Sequence, residues 1–326
     1  MLDRRTFLAC LGLAPLASPQ SARAQGAGNP PVVGVLNSST GPRSFTVDTT
    51  RGGLRDLGYV EGQTIALDVR FAAGKHEAFP DLAADLVKRK VAVLVASGPA
   101  AIRAAKAATS VIPIVAFDLE SDPVQAGFVR TFAQPGGNLT GCFLDQPGLT
   151  GKWLELIGEA VPGVRRIAVL VDTATGPWQL AAIKGAAEKL RIELHVLAIR
   201  SEGEIDQALT AGVKSGARAL VQLSSPLFDF PFAKRIVDFT AKHRLPAISM
   251  FRRVTERGGL MSYGPNPEYY KRLAVYIDKI LKGAKPGDLP IEQPTKFDFV
   301  INLKTAKSLG LALPPSFVPG ADQVIQ

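Results

Sequence analysis

Residues 32–41 read VVGVLNSSTG, a short, continuous apolar run that is followed at once by a polar turn. A continuous run of this length is typical of a strand buried on both faces, as in a parallel sheet. The turn leads into a helical stretch that extends to about Leu57, and Gly58 closes it as a C-terminal cap. This order of strand, turn and helix sets the pattern for the rest of the chain.

The same alternation of strands and helices continues through most of the sequence. Apolar runs such as 91–95 and 166–171 predict strands, and amphipathic stretches such as 79–90 and 177–190 predict helices. Such alternation implies parallel sheets with helices on both faces. Because the pattern restarts after Gly141, we predict an α/β fold with two doubly wound parallel-sheet lobes.

The N-terminus has the features of an export signal. Arg4-Arg5 precedes an apolar run that extends to about Ala17, and a small-residue site, Ala22-Arg23-Ala24, follows it. A charged start, a short apolar segment and an A-x-A end are typical of a secretory signal, and the Arg-Arg-x-Phe-Leu wording resembles the twin-arginine type. The apolar run is too short for a membrane span, which takes roughly 20 residues. We predict a signal peptide over residues 1–24, cleavage near Ala24 and a periplasmic mature protein.

Composition excludes several classes of protein. The chain has 326 residues, of which 46% are hydrophobic and 21% charged. This excludes a disordered or fibrous protein and leaves room for about two globular domains. The formal net charge of +9 invites a nucleic-acid interpretation, but the basic residues are dispersed and lie at helix ends or loop edges, as at Arg252-Arg253. We therefore expect no nucleic-acid partner.

Motifs for a cofactor, a metal or a nucleophilic catalyst are missing from the sequence. No G-x-G-x-x-G follows the first strand, and no G-x-S-x-G occurs. Two cysteines, Cys10 and Cys142, and three scattered histidines do not form a metal-ligand pattern. Cleavage of the signal would leave Cys142 as a single thiol, which cannot form an internal disulfide. We expect no cofactor, no metal and no catalytic residue, and hence a binding protein rather than an enzyme.

Small polar residues follow the carboxyl ends of several predicted strands. In open parallel sheets, ligands bind beyond these ends, where helix N-termini point at the crevice. For any single loop, helix capping by the same residues is the alternative. The predicted ligand-binding residues are Ser38, Ser39, Ser97, Gly98, Phe117, Asp118, Asp172, Ser224 and Tyr263.

An acidic group, Asp118, Glu120 and Asp122, stands among these loops. Alternation in an extended segment would put all three side chains on one side. Pro123 makes Asp122 resemble an N-cap, which argues against a metal site. We expect instead that a buried Asp118 pairs with an amine or hydroxyl of the ligand, while Ser39, Ser97 and Gly98 donate to a carboxylate or hydroxyl.

Several strings, in their order along the chain, resemble one family. They are GYVEGQ at 58–63, LAADLV at 82–87, DPV at 122–124, PGGNLTG at 135–141 and PIEQPTKF at 290–297, with INLKTA at 301–306. Together they are similar to the ABC transporter substrate-binding protein family, which includes tryptophan- and phenylalanine-binding lipoproteins. The resemblance extends from about residue 31 to residue 326.

The resemblance implies the type I periplasmic-binding-protein fold, in which two lobes are joined by three hinge crossings and the ligand lies in the cleft between them. The breaks that fit such crossings are 142–146, 259–264 and 290–295. They predict an N-terminal lobe that consists of residues 31–143 and 262–290. The C-terminal lobe would consist of residues 144–261 and 291–326. Tyr263, at the second crossing, would either stack on the ligand or pack the hinge.

The implied function is that of the periplasmic solute-binding component of an ABC importer. Hinge closure would capture a small organic solute, an amino acid or an aromatic or carboxylate compound. The protein, a monomer, would then deliver it to an ABC permease in the inner membrane. Two alternatives stay open. A ligand-sensing subunit for a membrane receptor would have the same cleft, and an exported α/β hydrolase would need a nucleophile with a positioned base, which the sequence does not offer.

Overall fold

The computed structural model describes residues 29–38, 44–225, 228 and 232–326. The predicted signal peptide, residues 1–24, and the predicted ligand-binding residue Ser39 lie outside these described residues. Within them, no helix has both the length and the apolar character needed to cross a membrane.

The first lobe contains a sheet of five parallel strands in the order β2-β1-β3-β4-β5. The three inner strands, β1, β3 and β4, have the apolar interiors that a sheet covered on both faces requires. In chain order they are β1 Val32–Asn37, β2 Ala66–Phe71, β3 Val93–Ser97, β4 Ile114–Asp118 and β5 Leu139–Phe143.

The second lobe contains a seven-stranded sheet in the order β12-β11-β10-β9-β8-β6-β7. All neighbouring strands are parallel except β10 and β11, which pair antiparallel. In chain order the strands are β6 Arg166–Asp172, β7 Glu193–Ile199, β8 Leu220–Gln222, β9 Ala247–Ser249, β10 Met261–Pro265, β11 Phe297–Asn302 and β12 Gln323–Ile325.

The two sheets share one winding order. In both, the lobe's first strand lies between its second and third, and the fourth and fifth follow outward, which is the doubly wound 2-1-3-4-5 arrangement. The prediction of an α/β fold with two parallel-sheet lobes is therefore confirmed. The helices are α1 Phe45–Asp56, α2 Phe79–Lys88, α3 Pro99–Ala108, α4 Gln146–Ala160, α5 Trp178–Leu190, α6 Ile205–Lys214, α7 Phe232–Lys242, α8 Arg252–Glu256, α9 Pro267–Tyr270, α10 Arg272–Leu281, α11 Leu303–Ser308 and α12 Phe317–Gly320.

Three segments connect the lobes, and hydrogen bonds join them to one another. At the end of β5, the Phe143 N–H donates to the Glu292 carbonyl at 2.9 Å. The Tyr269 hydroxyl, just past the second connection, donates to the Phe143 carbonyl at 2.8 Å and contacts the Glu292 carbonyl at 3.1 Å. Cys142 is fully buried in β5, and its backbone pairs with that of Glu292 in an isolated parallel β-bridge. The three crossings therefore form one compact hinge.

The second connection differs from the predicted break at 259–264. Residues Met261–Pro265 form β10, which pairs with β9 on one side and β11 on the other. The chain consequently returns to the first lobe after Pro265 rather than at residue 262. Two helices follow β10, α9 Pro267–Tyr270 and α10 Arg272–Leu281.

The third connection begins later than predicted. Ile291 is buried in the core of the first lobe, and its N–H donates to the Phe132 carbonyl at 2.7 Å. The Glu292 N–H donates to the Gly141 carbonyl at 3.0 Å, which extends the edge of the first sheet by one bridge. The chain therefore leaves the first lobe after Glu292 and enters β11 at Phe297.

Replacement by alanine should have opposite effects on stability at two adjacent glycines of α1. A Cβ on Gly53 would lie 2.7 Å from the Ala274 Cβ of α10, whereas a Cβ on Gly52 meets nothing within 4 Å. We expect Gly53→Ala to push α1 from α10 and lower the free energy of unfolding by about 1–3 kcal/mol. Gly52→Ala should raise it by up to about 1 kcal/mol. Urea unfolding measures both, and equal midpoints for the two variants would contradict the close packing of these helices.

Candidate functional site

A cleft lies between the two lobes, at the carboxyl ends of their parallel strands. Its walls come from the ends of β1, β3 and β4 in the first lobe and of β8 and β9 in the second. It contains about 550 Å³ of empty space, including its opening to solvent.

Four of the predicted residues meet in this cleft: Ser38, Ser97, Gly98 and Phe117. They follow or end three adjacent strands of the first sheet, as the rule for carboxyl ends of parallel strands predicts. The Gly98 N–H donates to the Phe117 carbonyl at 2.9 Å. Gly98 therefore shapes the cleft wall, and its N–H is not the donor to a ligand that the sequence predicted.

Two helix N-termini open towards the same space. Ser44, at the N-cap of α1, lines the cleft together with Phe45 and Thr46. Gly98, at the N-cap of α3, has a φ of 83°, a left-handed conformation that favours glycine. Helix N-termini present unpaired N–H groups and the positive end of the helix dipole. This wall can thus accept a carboxylate.

Asp118 lies behind the wall and does not face the cleft, contrary to the sequence prediction. It is fully buried, and its Oδ1 accepts the N–H groups of Glu120 at 2.8 Å and of Ser121 at 3.1 Å. Its other oxygen accepts the Ser121 hydroxyl. This turn ends the extended segment at Asp118, so the three acidic side chains do not lie on one side of a strand. Asp122 instead caps the next turn, where its Oδ1 accepts the N–H groups of Val124 and Gln125.

Glu120 is the acidic side chain that lines the cleft. Only 4% of the residue is exposed, and its Oε1 accepts the Ser224 hydroxyl of the second lobe at 2.6 Å. Burial, together with the nearby Asp118 carboxylate, raises the pKa of the Glu120 carboxyl well above its ordinary range. Ser224, predicted to bind the ligand, instead forms this contact between the lobes.

Asp172 is likewise occupied by its own lobe. It is fully buried, with Oδ1 accepting the Ala174 N–H at 2.8 Å and Oδ2 accepting the Ser225 hydroxyl at 2.7 Å. The His76 Nε2 of the first lobe lies 4.0 Å from this Oδ2. Asp172 therefore holds the loop that carries Ser225 to the cleft, rather than lining the cleft itself.

Tyr263 lies away from the cleft. It lines a different pocket with Lys152 and Phe317, and its ring stacks on Phe297 with centroids 5.6 Å apart. The Tyr263 carbonyl accepts the Trp153 indole N–H at 2.7 Å. Of the two roles considered for Tyr263, this placement corresponds to packing beside the hinge and not to stacking on a ligand.

Sequence reasoning missed the residues that give the cleft its positive charge and much of its aromatic surface. The Arg253 guanidinium of α8 lies 4.0 Å from the centre of the Phe45 ring. Tyr270 meets Phe45 edge-on at 4.6 Å and Phe117 at 5.5 Å, measured between ring centroids. A signal for Arg253 was present, because α8 directly follows the carboxyl end of β9, but the pair Arg252-Arg253 was interpreted as dispersed surface charge.

The cleft therefore combines three kinds of chemistry. Arg253 and the N-terminus of α1 can bind an anionic group, Glu120 can bind a cationic one, and the rings of Phe45, Phe117 and Tyr270 can pack against an apolar or aromatic part. Among the residues that the structure describes, no group of three or more His, Cys, Asp or Glu side chains could hold a metal ion.

Known proteins with similar sequences and structures share this architecture. Residues 38–325 match the family model described as ABC transporter substrate binding protein. A tyrosine-binding protein of Clostridioides difficile is 26% identical over 263 residues, which cover 79% of this chain and 74% of that protein.

Two crystal structures, each 26% identical to the chain, superpose closely. A conserved domain protein of Vibrio cholerae has a TM-score of 0.82, over 90% of this chain and 99% of that one. The ABC domain of a Streptococcus pneumoniae protein in complex with L-Trp has a TM-score of 0.81, over 91% and 100%. With a family match over nearly its whole length, this chain belongs to the family of ABC transporter substrate binding proteins.

Proposed function

We propose that the protein is the periplasmic solute-binding component of an ABC importer, and that its ligand is an amino acid with an aromatic side chain. One observation carries the proposal: Arg253 of the second lobe and Glu120 of the first line one cleft, beside a cluster of aromatic rings. An aromatic amino acid has the three groups that match these features. The tyrosine-binding relative and the L-Trp complex support the same ligand class.

The ligand carboxylate would lie against Arg253 and the N-terminus of α1, and its ammonium group against Glu120. Its ring would pack on Phe45 and Tyr270 in edge-to-face or offset contacts. Because Arg253 belongs to the second lobe and Glu120 to the first, a bound zwitterion joins the lobes. It therefore stabilises the closed arrangement over the open one, which is the basis of capture by hinge closure.

The remaining steps concern the partner and the compartment. A signal peptide over residues 1–24 would direct the chain to the periplasm, and the closed protein, as a monomer, would deliver its ligand to an ABC permease of the inner membrane. The compact hinge supports this role, because three short segments tied to one another allow the lobes to rotate as rigid units.

A titration of the purified mature protein tests the ligand class. L-tyrosine, L-phenylalanine and L-tryptophan should each give a binding heat and raise the melting temperature, with a stabilisation of about 2.7 kcal/mol at a ligand concentration of 100 times Kd. L-leucine and 4-hydroxybenzoate, each lacking one of the three matching groups, should bind more weakly. Absence of binding by all the amino acids would overturn the proposal, and turnover of a bound compound would favour the exported hydrolase.

A further inference from the structure

We propose that Glu120 selects ligands with a cationic amine by exchanging a proton for the ligand's ammonium group. The ligand-free protein would hold one proton between the carboxyl groups of Asp118 and Glu120, and binding of the amine would release that proton to solvent. This inference rests on the proposed function, since it concerns the same cleft and an amine-bearing ligand.

The first observation that supports the proton exchange is the hydrogen bonding of Asp118. Three donors converge on its carboxylate: the N–H groups of Glu120 and Ser121, and the Ser121 hydroxyl. Donors of this kind stabilise the charged form of a carboxyl group. Asp118 is therefore the member of the pair that carries the negative charge, although its burial opposes this by raising its pKa.

The second observation is the hydrogen bonding and burial of Glu120. One oxygen of this carboxyl accepts the Ser224 hydroxyl at 2.6 Å, and Glu120 is buried two residues along the chain from the buried Asp118. Two neighbouring carboxyl groups that are both buried cannot both be ionised without a large cost in free energy, so one of them holds a proton. Since three donors favour charge on Asp118, we place the proton on Glu120, where burial and the Asp118 carboxylate both raise the pKa.

The surrounding ionisable groups leave room for a cation from outside. Asp118 exerts the largest charge effect on Glu120, and it is negative. Arg253 of the second lobe lines the same cleft, and its guanidinium lies over the Phe45 ring. Asp172 of the second lobe accepts the Ser225 hydroxyl and lies next to His76. Tyr270 also lines the cleft. Among the residues that the structure describes, none of these groups places a positive charge against Glu120, so such a charge would come from the ligand.

Binding of an amine then changes the favoured protonation state. The ammonium group, fully protonated before and after, pairs with the ionised Glu120 carboxylate, and the proton from the Glu120 carboxyl goes to the buffer. A ligand without the amine forms no such pair and releases no proton. Because the free protein holds more protons than the complex, affinity rises with pH, by up to about tenfold per pH unit, and levels off above the pKa of Glu120 in the free protein.

Calorimetric titrations of the mature protein in phosphate and in Tris test the exchange, because these buffers differ in ionisation enthalpy. The probes are L-phenylalanine, L-tyrosine and L-tryptophan, each beside its deaminated analogue, such as 3-phenylpropanoate. We expect the release of up to one proton per amino acid bound, none for the analogues, and a higher affinity for the amino acids at pH 7 than at pH 6.

The opposite results separate the two proposals. Amino-acid binding without proton release, and with equal affinity at both pH values, would overturn the exchange but leave the proposed function intact. If none of the amino acids binds, the proposed function itself falls.

Two variants locate the proton. Glu120→Gln keeps the size and hydrogen-bonding capacity of the side chain but cannot ionise, so it should abolish proton release and weaken amino-acid binding at least about tenfold at pH 8. Its affinity for the deaminated analogues should not change. Asp118→Asn removes the neighbouring charge but not the burial, so it should lower the pKa of Glu120 in the free protein and reduce both proton release and the pH dependence of amino-acid affinity.

Glu188→Gln, at an exposed position of α5, is the matched control and should behave as the parent protein. Asp118→Asn provides the decisive result if Glu120→Gln does not fold. Unchanged proton release in either variant would assign the proton to another group and overturn the inference.

Discussion

Replacing Arg253 by methionine is expected to weaken the binding of an aromatic amino acid roughly 10- to 100-fold. A charge-assisted hydrogen bond contributes about 1.5–3 kcal/mol, and each 1.4 kcal/mol corresponds to about a factor of ten in Kd. Methionine keeps an unbranched apolar stem that can still cover Phe45, which lies 4.0 Å from the guanidinium. The loss would therefore report the missing charge rather than a collapsed cleft.

The neighbouring arginine provides the control. Arg252 donates from Nε to Glu256 at 2.8 Å and its side chain is 39% exposed, so Arg252→Met should leave the Kd within about twofold, because surface ion pairs contribute little. Arg253→Lys keeps the charge without the planar pair of donors and should lie between methionine and the parent. Calorimetry measures all three, and parent-like affinity in Arg253→Met would remove Arg253 from the ligand site.

Replacing Trp153 by alanine is expected to lower the free energy of unfolding by about 3–5 kcal/mol. Trp153 is fully buried in α4, and its indole N–H donates to the Tyr263 carbonyl of β10 at 2.7 Å. Alanine removes the whole ring and leaves a cavity between the helix and the sheet. Much of the stability of the second lobe next to the hinge would be lost.

Trp153→Phe separates packing from hydrogen bonding. Phenylalanine retains much of the ring but cannot donate, so a loss of about 1–2 kcal/mol is expected. Urea unfolding followed by far-ultraviolet circular dichroism measures both variants. Trp178→Ala, at a partly exposed position of α5, should cost clearly less than Trp153→Ala. Equal losses at the two tryptophans would show that Trp153 is not the better-packed ring.

Local sequence patterns predicted most of the fold. The helix predicted over 79–90 is α2, because Pro80 in its first turn and the apolar spacing behind it are local signals. The strand β10 escaped prediction because Gly264 and Pro265 suggest a turn. What makes this segment a strand is its pairing with β9 and β11, contacts with distant parts of the chain that composition does not encode.

The cleft was predicted in position but less well in detail. The rule that ligands bind at the carboxyl ends of strands led to Ser38, Ser97 and Phe117, which the structure places in the cleft wall. Glu120, and not Asp118, lines the cleft because the Asp118 side chain binds the backbone after β4 and forms a turn there, while Ser224 of the other lobe binds Glu120. Neither contact can be predicted from the alternation of side chains along one strand. To predict Arg253 as a cleft residue, the start of α8 has to be treated as part of the loop that follows the carboxyl end of β9.

Cys142, the one cysteine among the residues that the structure describes, gives the hinge an internal reporter. Cys142 has no exposed surface, and burial raises the pKa of its thiol above the ordinary range, so the reactive thiolate is scarce while the hinge is intact. It lies where β5 meets the segment at Glu292. An alkylating reagent can therefore reach the sulfur only when these two segments separate, and the labelling rate would count local openings of the hinge that leave each lobe folded.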